Sequence, residues 1–312
     1  MTLLSGKILF EVANEYNFAI GAFNFNNLEF LKAILEAAEE EEAPVFVQTT
    51  ESAIKYAGIE YLAGMVHAVK DSYKVPFALH LDHGKHIETV LLAIRHGYTS
   101  VMIDYSDKPY EENLKITREV VSLCAPLGIS VEAELGRLEG IEDNVVSKES
   151  ILVDPQQAKE FADKTGVDAL APAIGTAHGA FKFKGEPKLD FNRLKKVKEL
   201  TNIALVLHGA SGVYEEYIKT INTYGGDIKG AKGVPDEDIK RAVELGINKV
   251  NTDTDLRLAF IATLRKLMAE EKKIIDPRKL LKPAMEEVKN IVKKRIRLYG
   301  SQGKAELFRK YL

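Results

Sequence analysis

Short runs rich in β-branched and aromatic residues return along the chain, each followed by a stretch whose apolar residues stand three and four apart. The runs are IGAFNFN (20–26), PVFVQTT (44–50), VPFALHLDH (75–83), SVMIDYS (100–106), ISVEAELG (129–136), DALAPAIGTAHG (168–179), IALVLHGASG (203–212) and NKVNTDT (248–254). Runs of this length and composition predict buried strands. Leu28, Leu31, Ile34 and Leu35 after the first run, and Val90, Leu91 and Ile94 after the third, carry the helical period. End signals agree with it: Asp154 and Pro155 open one helix, and Gly97, Gly166 and Gly246 each follow one. Strands alternating with helices imply a parallel sheet. Eight such units, at a typical spacing of roughly 30 residues, predict a closed (β/α)₈ TIM barrel. An open doubly wound sheet would want a glycine-rich dinucleotide fingerprint after the first strand, and there is none. Helical patterns from about residue 256 to 312 run past the eighth strand and read as barrel packing plus an appendage for subunit contact.

Composition narrows the picture without choosing a function. The 312 residues, 46% of them apolar, suit one α/β barrel domain spanning 1–312. A formal charge of −3, from 43 basic and 46 acidic residues, gives no footprint for nucleic acid or an anionic membrane, so an anionic substrate must be held locally. Cys124 is the only cysteine, which excludes an internal disulfide and a thiolate metal cluster. Lys7 and Glu11 break any signal-peptide pattern at the N-terminus, and no run of about 18 apolar residues occurs, so the expected location is cytoplasmic.

The chemistry gathers where the strands end. His83, His178 and His208 close the third, sixth and seventh runs, on the face where barrels build active sites. Three imidazoles from separate elements, with a fourth position open, are the ligand set of a catalytic Zn²⁺. His67 and His96 lie in helix patterns, His86 opens a helix, and His80 stands two residues before Asp82 as a candidate for orienting a ligand. Asp82 adjoins a ligand and is placed for proton exchange. The glycines of HGASG (208–212) suit close backbone approach to a phosphate, in a nest of amides, and NTDTD (251–255) offers hydroxyls and a helix start. Lys182 can add charge to that site. Residues 137–153 form a long connection without a clear period. It reads as a solvated acidic loop or as a lid, with Glu142 and Asp143 as bases delivered on closure.

LHLDHG, VEAELG, the GIED loop, HG followed by FK, HGASG and NTDTD, in this order across nearly the whole chain, resemble class II, metal-dependent fructose-1,6-bisphosphate aldolase. The resemblance implies Zn²⁺ on His83, His178 and His208, with reversible cleavage of fructose 1,6-bisphosphate to dihydroxyacetone phosphate and glyceraldehyde 3-phosphate through a zinc-stabilised enediolate. It implies proton exchange at the C4 oxygen by Asp82 and at C3 by Glu142. Substrate contacts would come from Asn24, Gly179, Lys182, Gly209, Ser211, Asn251, Asp253 and Thr254, with Arg257 and Arg278 toward the other phosphate, in part across a subunit interface. Asp104 and Glu134 would flank an alternative metal position. A monovalent cation (Na⁺ or K⁺) near the phosphate and a homodimer or homotetramer are further expectations. The lid departs from the family pattern, with Glu139 where the first glycine of GGxED is expected. Tagatose 1,6-bisphosphate aldolases share the metal constellation, but NTDTD is more similar to the fructose branch. A Schiff-base aldolase would need a lysine within AIGTAHG, which has none. A noncatalytic sugar-phosphate-binding barrel would keep the loops without needing Asp82.

Overall fold

The computed structural model describes residues 2–137, 139–142, 145–147, 151–178 and 189–312; for 139–142, 145–147 and 178 the description is of backbone. All eight predicted runs become strands: β1 (Ile20–Asn24), β2 (Val45–Thr50), β3 (Phe77–Gly84), β4 (Ser100–Ile103) and β5 (Ser130–Leu135) come first. Two short strands follow, β6 (Glu139–Glu142) and β7 (Val145–Ser147), and then β8 (Ala169–Pro172), the two-residue β9 (Ala177–His178), β10 (Ala204–Leu207) and β11 (Ile247–Thr252). Eight of them close into a parallel barrel in the order β1-β11-β10-β8-β5-β4-β3-β2. Every barrel strand is buried along its length, so the polar residues within the runs are enclosed together with the apolar ones.

The intervening helices form where the caps predicted. Asp154 accepts a hydrogen bond from the Gln157 amide, and Gly166, at φ 71°, closes that helix in the left-handed region. Helix Leu28–Glu40 starts on Asn27, which accepts from the Phe30 amide. Its buried stripe is Phe30, Leu31, Ile34, Leu35 and Ala38; Leu28 instead sits exposed in the first turn, where no neighbour covers it.

Helix Gly6–Glu15 plugs the amino-terminal mouth: Leu9, Phe10, Val12 and Ala13 pack with Phe18, Phe46, Ala169, Val206 and Phe308 in a separate apolar cluster. Burying one such phenylalanine contributes about 1.5–3 kcal/mol. Lys198, in helix Phe191–Thr201, ties this floor to the wall: its ammonium donates to Asn14 Oδ1, the Ile203 carbonyl and Asn248 Oδ1. Past β11, helices Thr254–Glu270 and Pro277–Leu298 pack on each other, and the second also covers Leu28–Glu40.

The connection read as aperiodic, 137–153, contains regular structure. β6 pairs antiparallel with β7 and parallel with β9, making a small sheet over the carboxyl-terminal mouth. Glu139 is a strand residue in register with Ala177.

A candidate metal centre at the carboxyl-terminal mouth

Asp82 and His83 are consecutive, and in a regular strand they would face opposite sides. The β3–β4 register shifts between Leu81 and Gly84, and His83 takes φ 49°, a left-handed conformation costing about 1–3 kcal/mol. This bulge brings both side chains to one side, with His83 Nε2 4.0 Å from Asp82 Oδ1.

His83 and His208 are each oriented from behind by a carboxylate. His83 Nδ1 donates to Asp104 Oδ2 at 2.7 Å, which leaves Nε2 to face the mouth. Asp104 also accepts from Lys85 Nζ (2.6 Å) and from the Ser106 amide and hydroxyl. Burial alone would raise the Asp104 carboxyl, but His83 and Lys85 hold it well below the usual carboxylate range. His208, just beyond β10, donates from Nε2 to Glu132 Oε1 at 2.7 Å and turns Nδ1 toward Glu134 Oε2, 3.2 Å away. The His83 and His208 rings meet edge to face with centroids 4.6 Å apart. Despite burial, the surrounding carboxylates raise both imidazoles, His83 to about 9.

Under this pair lies a fully buried relay. Glu132 Oε2 accepts from Lys249 Nζ at 2.8 Å and stands 3.7 Å from His80 Nε2, while His80 Nδ1 meets Ser100 Oγ at 2.7 Å. Burial and the Lys249 charge lower His80 to about 3. His80 therefore acts on the site at one remove, through Glu132. Glu132, Lys249 and Gln48 are the functional neighbours that sequence reasoning missed. The available signal was the polar residue inside each barrel strand, in VFVQTT, SVEAEL and INKVNT.

Asp82 sits in an amide cradle. Its Oδ2 accepts from Asn24 Nδ2 (2.9 Å) and Gln48 Nε2 (3.1 Å), and its Oδ1 from Asn251 Nδ2 (3.0 Å). Burial pushes this carboxyl up, but the positive field of His83, Lys249 and His208 prevails and lowers it. With two acceptor sites per oxygen, Oδ1 keeps one for a hydroxyl proton.

Among the described residues, two donor groups could hold a cation: Asp82, His83 and His208, and next to them His83, Asp104 and Glu134, with ligand atoms within 4.8 Å of one another and all buried. Buried nitrogen and carboxylate donors of this kind fit a divalent transition metal. His178 ends β9 opposite Gly140 of β6. That strand lies against the His208 loop: a Cβ on Gly209, at φ 62°, would stand 2.4 Å from the Ala177 carbonyl oxygen. The His178 side chain, Gly179, Lys182, the Glu142 side chain and Asp143 lie outside the described residues.

Ser211 is buried beside Gly209. The nest expected from HGASG is smaller than its sequence suggests, because the Gly212 and Val213 amides donate to Asp255. Asp253 and Thr254 begin the Thr254–Glu270 helix, and Arg257 binds Asp253 one turn on. Arg278 stands at the exposed start of Pro277–Leu298, hydrogen-bonded to Asp276.

Comparison with known proteins agrees with this geometry. A family model described as fructose-bisphosphate aldolase class-II matches residues 5–227 and 228–304. A fructose-bisphosphate aldolase from Helicobacter pylori is 53% identical over 97% of this chain and 99% of its own length. One from Thermus caldophilus is 48% identical over 97% and 100%. Among solved structures, the YdjI aldolase from Escherichia coli K12 superposes with a TM-score of 0.81 at 33% identity, covering 97% of this chain and 99% of that one. Among the described residues, no helix is long and apolar enough to cross a membrane.

Proposed function

The chain belongs to the class-II fructose-bisphosphate aldolase family, metal-dependent carbon–carbon lyases, and we propose that it cleaves fructose 1,6-bisphosphate reversibly at the site formed by Asp82, His83, His178 and His208. The observation that carries this reading is the juxtaposition of Asp82 Oδ1 with His83 Nε2, beside His208, in a buried cluster. Held by His83, His178 and His208, Zn²⁺ would polarise the C2 carbonyl of the ketose. His83, Asp104 and Glu134 supply the donors for an alternative metal position.

In the cleavage direction Asp82 Oδ1 takes the proton of the C4 hydroxyl. The O–H electrons form the aldehyde carbonyl, the C3–C4 bond breaks, and Glu142 delivers a proton to C3; condensation runs the same transfers backward. Asn24, Gln48 and Asn251 hold Asp82 in one orientation throughout, since any rotation would break their hydrogen bonds. Gly209, Ser211, Asp253 and Thr254, with Gly179 and Lys182, are the residues proposed for the ketose phosphate and an associated Na⁺ or K⁺. Arg257 and Arg278 are proposed for the other phosphate, Arg278 across the interface of a cytoplasmic homodimer or homotetramer.

Steady-state cleavage of fructose and tagatose 1,6-bisphosphates, with and without EDTA, tests the whole reading. Activity on the fructose ester should vanish with chelator and return with Zn²⁺; preference for the tagatose ester would reverse the C4 assignment. Asp82→Ala should retain zinc while losing at least about 10²-fold in kcat, and His208→Ala should lose zinc and activity together. A zinc-loaded, active His208→Ala protein would refute the ligand set.

A further inference from the structure

Behind the HGASG loop lies a buried ion pair that the reaction itself does not use. Arg295, in helix Pro277–Leu298, is fully buried, as is Asp255 at the start of Thr254–Glu270. The guanidinium donates from Nε (3.1 Å) and Nη2 (2.5 Å) to Asp255 Oδ2, and from Nη1 (2.8 Å) to Asp236 Oδ1. Asp255 turns toward the loop: Oδ1 accepts the Val213 amide at 2.7 Å and Oδ2 the Gly212 amide at 3.0 Å. Gly212 has room for hydrogen alone, since a Cβ there would stand 2.4 Å from Arg295 Nη2. From the other side the Val234 amide donates to the Ser211 carbonyl. Val213 is held at φ 51°, a left-handed conformation that a β-branched residue keeps only when its surroundings impose it.

A buried Arg–Asp pair is a poor source of net stability, because desolvation offsets most of its attraction. What this pair does is set the shape and charge of one loop. Asp255 places a full negative charge behind Gly212, close to where a phosphate dianion would have to bind, and Arg295 neutralises it. We propose that Arg295 is a positioning residue for the sugar phosphate, one that never touches it: through Asp255 it fixes the Ser211–Val213 turn and cancels the field that would repel the anion. This rests on the reading of residues 209–212 as the phosphate loop.

The test compares wild type with Arg295→Met, Arg295→Gln, Arg295→Lys and, as a control on the loop, Ser211→Ala. For each, kcat, KM for fructose 1,6-bisphosphate, competitive inhibition by inorganic phosphate and metal content are measured. Arg295→Met should raise KM and the phosphate inhibition constant together by about tenfold or more, with metal content intact and kcat changed less than about threefold, the signature of lost binding common to ground and transition states. Arg295→Gln should behave like Arg295→Met and carries the test if Arg295→Met does not fold, while Arg295→Lys should restore most of the loss. Folded Met or Gln variants whose KM and phosphate inhibition stay within about twofold of wild type, or whose kcat falls alone, overturn the proposal. Ser211→Ala separates the two levels. If it leaves both constants unchanged, the phosphate loop itself is misassigned; if it raises them while the Arg295 variants do not, only the role of Arg295 falls.

Discussion

Glu132 shows how much of this site is decided one residue away from the reacting atoms. It accepts from His208 on one oxygen and from Lys249 on the other, so it fixes which imidazole nitrogen faces the mouth. Partners of this kind are commonly worth 10–100-fold in metal affinity. Glu132→Gln should therefore lose on the order of 10–100-fold in zinc affinity, measured by competition with a chelator. Wild-type affinity in that variant would mean that His208 is oriented by something else. The convergence of Asp82, His83 and His208 was legible in the sequence because they stand at strand ends, where side chains that do not build a core are conspicuous. Glu132, Lys249 and Gln48 were not, since a polar residue inside a strand run reads as one that faces water, whereas here both faces of each strand are enclosed.

At the scale of elements, the eight barrel strands were legible and the small three-stranded sheet was not. β6 and β7 are three or four residues long, rich in acidic and small residues, and β6 completes its pairing on a two-residue strand distant in sequence. Pairing of that kind leaves no local period. The join between the His208 loop and β9 is tight at Gly209, where the Ala177 carbonyl leaves no space for a methyl group and φ is 62°. Gly209→Ala should displace His208 and its loop from β9. The expected result is a fall in kcat/KM on the order of 10²-fold in a protein that still folds. Unchanged kinetics would show that the loop yields without consequence.

For the molecule as a whole, stability should carry a pH signature from the barrel floor. Burial lowers the Lys198 ammonium to about 8, against an ordinary value of 10.5. Between those values the unfolded chain holds the proton more tightly than the folded one, so this residue's contribution to stability increases as pH rises through the window, by up to about 3 kcal/mol, and is flat below it. Denaturant titrations of wild type and Lys198→Met from about pH 7.5 to about 10.5 should show the wild-type-minus-variant difference growing with pH. A constant difference would mean that the folded protein keeps Lys198 charged throughout.

The same floor imposes an order on biosynthesis. Helix Gly6–Glu15 is translated long before Val206 and Phe308, which its apolar face needs in order to be covered. Contacts of such sequence separation form late and slow the search for the native state. Until Phe308 has been made, Leu9, Phe10 and Val12 are a sticky surface on the nascent chain.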